Sequence, residues 1–470
     1  MDKFYINFSG QEDAKYNIIA HNIKKLIDEN KVEDGERLPS IRALSDLLKV
    51  NSVTVVNAYK KLESEGYAVQ KIGSGTFAKM RDFSRSFKKE YSNGFKKIPK
   101  ELMDQYIDFT GETLCTDFFP ITNFKCVLNE VLDRDGAEAL IIQESLGYEG
   151  LRDTISSIFW DYKVDSDDIL IVSGAQQGID IISKALINNN DYVLIEKPTY
   201  SGALSVFKSR RANILEIPIK KNGVDVNKFE KILMKNNIRC FYTMSYFQNP
   251  TGMSYSIDAK KRILELAQIY DFFIIEDDYL SELIFDQSIE YRSFKSLDKN
   301  DRVIYIKSFS KIFLPGIRLG YLIAPAKFKE LIQNSKYNTD ISTSSIMQRT
   351  LELYINKGLW KEYINNLVKI YKSRYEFMEE CIKEKLGDKI DYISPGGGLH
   401  FYLKIDDNYK IDSVQLYRVA KSKKVLIAPG MLFYKNPMDG KKYFRISFSK
   451  TDEAQIKKGI EILSNIISEY

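Results

Sequence analysis

Apolar residues recur at helical spacing over residues 14–30, where Ile19, Ile23, Leu26 and Ile27 share one face. A second short helix is predicted after Pro39. Ser40 stands where an N-cap is needed, and Ile41, Leu44, Leu47 and Leu48 form the apolar side. Asn51 is placed to cap a third helix whose inward positions are Val55, Ala58, Tyr59 and Leu62, with Gly66 at its end. Two short strand-like runs, 67–70 and 76–78, flank Lys71-Ile72-Gly73-Ser74-Gly75, a glycine-rich turn. Three helices and a hairpin within residues 1–80 predict a winged helix-turn-helix.

Periodicity weakens over 81–105, which holds seven Lys/Arg against four acids, a net +3. This reads as a basic linker, either lying near phosphates or solvated as a plain tether. From 106 to 470 the pattern alternates. Strands are predicted at 168–172, 192–195, 238–244, 272–276 and 303–307, with helical patterns at 176–188, 257–270 and 326–338. That order predicts an α/β domain with a mostly parallel sheet, whose ligands sit at the carboxyl ends of strands.

Composition narrows the picture only slightly. The 470 residues suit two or three domains, and no apolar run approaches the roughly 20 residues of a membrane span. The opening MDKFYINFSGQEDAKYN has no apolar h-region. Cys115, Cys126, Cys240 and Cys381 match no zinc or redox spacing, so reduced thiols and a cytoplasmic protein are expected. Two histidines, His21 and His400, are too few for a histidine-built metal site, and no metal is expected. A net charge of +5 alone says little about nucleic acid.

The stretch GERLPSIRALSDLLKVNSVTVVNAYKKLESEGYAVQKIGSGTF resembles the winged helix of GntR-type regulators. The third helix then enters the major groove by its N-terminal residues, with Ser52, Val53, Thr54 and Asn57 facing outward. Ser40 and Arg42 stand at a helix start suited to a phosphate, and the resemblance implies that Arg42 contacts DNA. Gly75 in the wing lets backbone approach the minor groove. Many relatives carry arginines where this chain has Ser52 and Asn57. Affinity is therefore expected to draw on Arg42, Lys60, Lys61 and Lys71, and base preference to move from guanine towards adenine or thymine.

With SFSKIFLPGIRLGY at 308–321, EDDY at 276–279 and NPTG at 249–252, the rest of the chain resembles fold-type I, class I aminotransferases that bind pyridoxal 5′-phosphate (PLP), and the fusion resembles the MocR group of regulators. Ser308-Phe309-Ser310-Lys311-Ile312-Phe313-Leu314-Pro315-Gly316-Ile317-Arg318-Leu319-Gly320-Tyr321 follows a predicted strand. It offers Lys311 as the amine for a Schiff base, with Ser308, Ser310 and Arg318 for the phosphate. In Glu276-Asp277-Asp278-Tyr279 a carboxylate must hold the pyridine proton. The resemblance assigns this to Asp277, with adjacent Asp278 as the alternative, and assigns Tyr279 to the ring 3-oxygen. Asn249, in Asn249-Pro250-Thr251-Gly252, is expected at the same oxygen. Ala175 and Gln176 open a helix whose N–H groups suit a phosphate. Tyr200 is expected to stack on the ring, and Arg445 to hold a substrate α-carboxylate by its planar fork. Gly147-Tyr148 and Phe118-Phe119-Pro120 stand as further lining positions, with core contacts the alternative for the phenylalanines.

Two functions follow. The first is a DNA-binding regulator that senses PLP, or an amino compound forming an aldimine with it. The second is a working aminotransferase with an appended DNA module. The resemblance also implies a homodimer, bringing two winged helices to two half-sites of promoter DNA, with no membrane partner.

Overall fold

The computed structural model describes residues 2–6, 8, 13–28, 31–32, 35–71, 74–78, 87, 90–93, 99–111, 113–142 and 144–470. The chain divides into two compact units, Met1–Ile98 and Pro99–Tyr470.

In the first unit, helix α1 spans Lys15–Asp28, α2 spans Ile41–Leu48 and α3 spans Ser52–Ser64. Both predicted caps form: Ser40 Oγ accepts from Ala43 N at 3.1 Å and Asn51 Oδ1 from Val53 N at 2.9 Å. Between α2 and α3 the chain turns at Lys49, which takes a left-handed conformation with φ +50°. Ile19, Ile23, Leu44, Leu48, Val55, Ala58, Tyr59 and Leu62 share one core. The Tyr59 hydroxyl donates to Pro39 O at 2.6 Å and ties α3 to the start of α2. Strands β1 (Ala68–Lys71) and β2 (Gly75–Ala78) pair antiparallel as the wing, each shifted slightly from the predicted runs. Ile72 and Gly73 at its tip lie outside the described residues. So does most of the predicted linker, whose final part instead forms the helix Lys100–Met103 of the second unit.

The second unit is built on an eight-stranded sheet. Its strands, numbered in chain order, are β4 (Ile169–Val172), β5 (Tyr192–Lys197), β6 (Asn213–Lys220), β7 (Gly223–Val224), β8 (Ile238–Thr243), β9 (Phe273–Asp278), β10 (Val303–Ser308) and β11 (Gly320–Ile323). They lie in the order β4-β11-β10-β9-β8-β5-β6-β7. All run one way except β7 and β11, so the sheet is mostly parallel as expected. Strands β4, β9 and β10 are buried along their whole length. Hence each begins as an unbroken apolar run rather than an alternation, the mark of a sheet covered on both faces, before β9 and β10 end on Glu276, Asp277, Asp278, Lys307 and Ser308.

A four-stranded antiparallel layer holds β12 (Ile390–Tyr392), β13 (His400–Ile405), β16 (Tyr443–Ser447) and β15 (Ala428–Pro429) in that order. The short β3 (Ile107–Asp108) pairs parallel with β14 (Val425–Leu426).

Two predicted boundaries move for a physical reason. Asp168 belongs to a 3-10 turn and ion-pairs with Lys329, so β4 begins at Ile169. The predicted helix 326–338 splits into a 3-10 turn, Ala326–Phe328, and a helix, Lys329–Tyr337, because Pro325 and the buried Phe328 dictate a tight entry. Among the described residues no helix is long and apolar enough to cross a membrane, and no cluster of side chains suits a metal ion.

Candidate functional site

The register of the large sheet brings the predicted motifs to one edge. Ser308 pairs with Gly320, and Gly320 pairs with Val172, so the ends of β10 and β4 stand side by side. Asp277 lies level with Ile306, and the ends of β8 and β5 continue the same rim. This is the carboxyl edge of the parallel strands, where open α/β sheets bind ligands.

Beside β4 a helix start, two serines and an arginine come together as a cradle. The helix Ala175–Leu186 begins directly after Gly174, whose φ of +94° favours glycine. A Cβ there would come within 3.1 Å of Arg318 Nη2. Arg318 donates to Ser173 O at 2.8 Å and reaches Ser310 Oγ at 3.5 Å, while Ser310 N donates to Ser308 Oγ at 3.3 Å. The first N–H groups of the helix, at Ala175 and Gln176, thus stand with two hydroxyls and one guanidinium. That combination suits a dianionic phosphate.

Deeper along the edge, Asp277 is almost wholly buried at the end of β9. Its Oδ2 accepts from the Tyr242 hydroxyl at 2.8 Å. Its Oδ1 is buried and has no hydrogen-bond partner among the described residues. Burial pushes this carboxyl up to about 7. The Tyr242 hydrogen bond opposes the rise, the Asp278 charge adds to it, and the cations Lys311 and Lys307 pull it down. A buried acceptor left open beside a lysine fits a group that brings its own N–H, as a pyridinium does. The cradle and this acceptor together fit PLP.

Asp278, the alternative, is fully engaged elsewhere. Its Oδ2 accepts from Ser281, Tyr291 and Tyr305 at 2.7–2.8 Å, and its Oδ1 from Lys307 at 3.1 Å. Lys307 also reaches Glu282 at 2.9 Å and Ser281 Oγ at 2.9 Å. Burial opposes ionisation of Asp278, but Lys307 and these hydroxyls outweigh it and hold the carboxyl below its usual range. Alternation along β9 puts the two neighbouring acids on opposite faces. Asp278 thereby meets Lys307, Ser281, Tyr291 and Tyr305, and Asp277 is left with the open oxygen among the described residues.

The remaining predicted residues fall as follows. Lys311 is half-buried in the turn after β10. Asn249 is buried and accepts from Arg445 Nη1 at 2.7 Å; Arg445, buried in β16, also donates to Thr110 O at 3.1 Å and lies 5.1 Å from the Phe433 ring. The Tyr200 hydroxyl donates to Gln176 Oε1 at 3.1 Å, which joins the ring position to the phosphate helix. The Tyr279 hydroxyl donates to Phe247 O at 2.7 Å. Tyr148 sits under the Arg349 guanidinium, and Phe118 packs edge-on against Tyr371. Tyr242 is the supporting residue that sequence reasoning missed. Its only signal is its place in a strand, because nothing local says that its hydroxyl meets β9.

On the winged helix, the buried stripe of α3 leaves Val53, Asn57 and Lys60 exposed on the opposite side, with Ser52 also exposed and Thr54 at the flank. Arg42 and Gly75 are exposed, and Ser40 Oγ is committed to its cap. Lys61 departs from expectation. Its ammonium donates to Asn17 Oδ1 at 2.6 Å and lies over the Tyr16 ring, so it braces α1 against α3 instead of facing outward. The side chain of Lys71 lies outside the described residues.

Residues 113–463 match the family "Aminotransferase class I and II", and residues 15–78 match "Bacterial regulatory proteins, gntR family". The chain is 30% identical to aromatic-amino-acid aminotransferase 1 of Thermococcus litoralis, over 77% of this chain and 88% of that protein. It is 27% identical to the uncharacterized HTH-type transcriptional regulator YdfD of Bacillus subtilis, over 97% of this chain and 96% of that one. Among solved structures, a kynurenine aminotransferase of Pyrococcus horikoshii in complex with PMP superposes with a TM-score of 0.75 at 30% identity, over 82% of this chain and 94% of that chain. The aminotransferase relative covers 77% of this chain and the regulator 97%; the chain belongs to the aminotransferase class I and II family in its MocR-type form, with a gntR-family winged helix ahead of the PLP-binding fold.

Proposed function

We propose that this protein is a PLP-dependent transcription regulator in which an amino compound, or PLP itself, is the signal. The observation that carries the reading is the buried Asp277 Oδ1, without a hydrogen-bond partner among the described residues, at the carboxyl edge of the sheet, on the same chain as a winged helix whose third helix exposes Ser52, Val53, Asn57 and Lys60. The similarity to YdfD over nearly the full length of both chains supports the same pairing.

When bound, PLP supplies an electrophilic carbon and an electron-withdrawing ring. The chain's own residues then have separate tasks. Lys311 provides the amine, and Asp277 holds the proton on the ring nitrogen. Asn249 and Tyr279 serve the ring 3-oxygen, which requires the Tyr279 hydroxyl to leave Phe247 O. Tyr200 covers one ring face. Ala175, Gln176, Ser308, Ser310 and Arg318 hold the phosphate. Arg445 holds an α-carboxylate on the effector. Residues 1–80 form the DNA-binding module and 81–98 the tether, and the sensing domain begins at Pro99, earlier than the expected 106. Within the first of these, Arg42, Ser40, Ser52, Thr54, Asn57 and Gly75 face the duplex. The active form is a cytoplasmic homodimer on paired half-sites.

An effector shifts the DNA-binding equilibrium only by its differential affinity for the two states. The test is to titrate amino acids and amines while following cofactor absorbance, promoter affinity and ketoacid release together. A regulator gives one compound that moves the first two with little ketoacid. Turnover of many amino acids at roughly 1–1000 per second, with no change in DNA affinity, replaces this reading by the second one, an aminotransferase with an appended DNA module. That reading draws on the intact set of Lys311, Asp277 and Arg445. A response to PLP alone keeps the regulator and removes Arg445 from its effector site.

A further inference from the structure

The DNA-facing side of α3 has an unusual composition. Its inward stripe is Val55, Ala58, Tyr59 and Leu62. The stripe directly opposite, at spacings of four and then three residues, is Val53, Asn57 and Lys60. Residues so spaced lie one above another on the same helical face. Ser52 and Thr54 fall to either side of that line. Val53 is 60% exposed in the first turn. An exposed valine by itself needs no explanation. Its place does, because the first turn of this helix is the part that reaches base edges.

The side chains available on the stripe restrict what they can read. Val53 has no donor or acceptor and offers only methyl groups. In the major groove the one apolar feature of a base edge is the thymine 5-methyl. Asn57, one turn on, carries an amide that donates and accepts at once, the pattern that matches adenine N6 and N7. Lys60, a further turn on, is a point charge suited to a phosphate. Neither Asn57 nor Lys60 makes a side-chain hydrogen bond within the described residues, so both enter the groove without giving up an internal contact. In its first two turns, at Val53 and Asn57, the stripe carries no arginine or lysine, the side chains that most often read guanine.

We infer that Val53 and Asn57 together specify adenine–thymine pairs in each half-site, Val53 by covering a thymine 5-methyl and Asn57 by pairing with an adenine edge, while Lys60 holds a phosphate. This rests on the DNA-binding reading above and adds which base atoms are recognised.

The test uses the full-length protein loaded with PLP and a pool of random duplexes. The enriched sequence is resynthesised with each thymine in turn replaced by deoxyuridine, which removes only the 5-methyl. Each adenine is likewise replaced by 7-deazaadenine, which removes only N7. One uracil position per half-site weakens wild-type binding about threefold to fivefold, the scale of one buried methyl group. The same substitution leaves Val53→Ala unaffected, and Val53→Thr, which keeps one methyl, retains part of the effect. One 7-deazaadenine position weakens wild type about fivefold or more and leaves Asn57→Ala unaffected. The thermal unfolding midpoint stays unchanged in all three variants, since both side chains are exposed. An enriched site whose binding ignores every uracil and 7-deazaadenine substitution, or loses the same amount in wild type and variants, overturns this inference and leaves DNA binding standing. Enrichment of guanine contacts at those positions does the same. No enriched duplex at all overturns the DNA-binding reading, and this inference with it.

Discussion

Asp277 and Asp278 are adjacent in sequence, equally buried and opposite in use. Asp278 is held ionised by Lys307 and three hydroxyls, whereas Asp277 has a single hydroxyl donor and an open oxygen. The consequence is a pH dependence of the cofactor-free protein. A carboxyl whose folded value lies above its unfolded value binds its proton more tightly in the native chain. The stability contributed by Asp277 is therefore complete below about 3.8 and is lost as pH rises towards about 7. Glu196, buried and likewise raised to about 7 by desolvation, adds to the same trend. Asp277→Asn isolates the first of these. Denaturant melts of the cofactor-free forms should show the variant matching wild type near pH 4 and exceeding it near pH 8. A constant difference across that range removes the buried titration of Asp277. In the loaded protein the same variant loses the partner of the ring nitrogen, and cofactor affinity should fall at least tenfold by equilibrium dialysis. Lys311→Ala should abolish borohydride fixation of cofactor to the chain, read by mass.

At the scale of elements, helices were legible wherever a cap and an apolar period coincided. Ser40 and Asn51 announce α2 and α3, and both side chains accept the expected backbone hydrogens. Asn51→Ala should cost about 1 kcal/mol in the unfolding of the N-terminal unit, measured in denaturant. The motifs at strand ends were legible too, since small residues and charged side chains interrupt apolar runs there. The role of Lys61 was not. Spacing places it close to the outward stripe, and only the closeness of α1 shows that Asn17 and Tyr16 claim its ammonium. Arg42 has no such neighbour among the described residues. Arg42→Ala should lower the slope of log affinity against log salt by about one unit, while Lys61→Ala should leave the slope unchanged and lower stability. Equal slopes for wild type and Arg42→Ala would take Arg42 off the DNA-facing surface.

At the scale of the whole molecule, the two units have different obligations. The smaller one completes its core from three helices and a hairpin and can be described without a ligand. The larger one leaves Asp277 Oδ1 open in its interior, at a cost that only a donor relieves. Saturation with PLP at about 100 times its dissociation constant should stabilise the larger unit by about 2.7 kcal/mol. Calorimetry with and without cofactor checks this, and the gain should fall in Asp277→Asn. An unchanged melt would contradict the cofactor assignment. A change of the same size in DNA affinity is not required, because coupling depends on differential binding and not on tightness.

Local pattern by itself determined the class of each unit and the order of their elements, and the family resemblance supplied the expected role of most chemical groups. Periods of 3.6 and 2, caps and turn residues are short-range properties that a linear chain carries openly. Arg445 could be picked out because an arginine alternating with apolar neighbours demands a partner, and Lys311 because the motif around it resembles that of PLP-binding aminotransferases. The tertiary structure decided which oxygen of which aspartate stays open, which lysine is spent internally and which hydroxyl supports the site. Those outcomes depend on strands far apart in sequence arriving in one register, as when Tyr242 on β8 meets Asp277 on β9. A hydrogen bond reaches about 3 Å, so its partner is set by the arrangement of the sheet and not by the residues on either side.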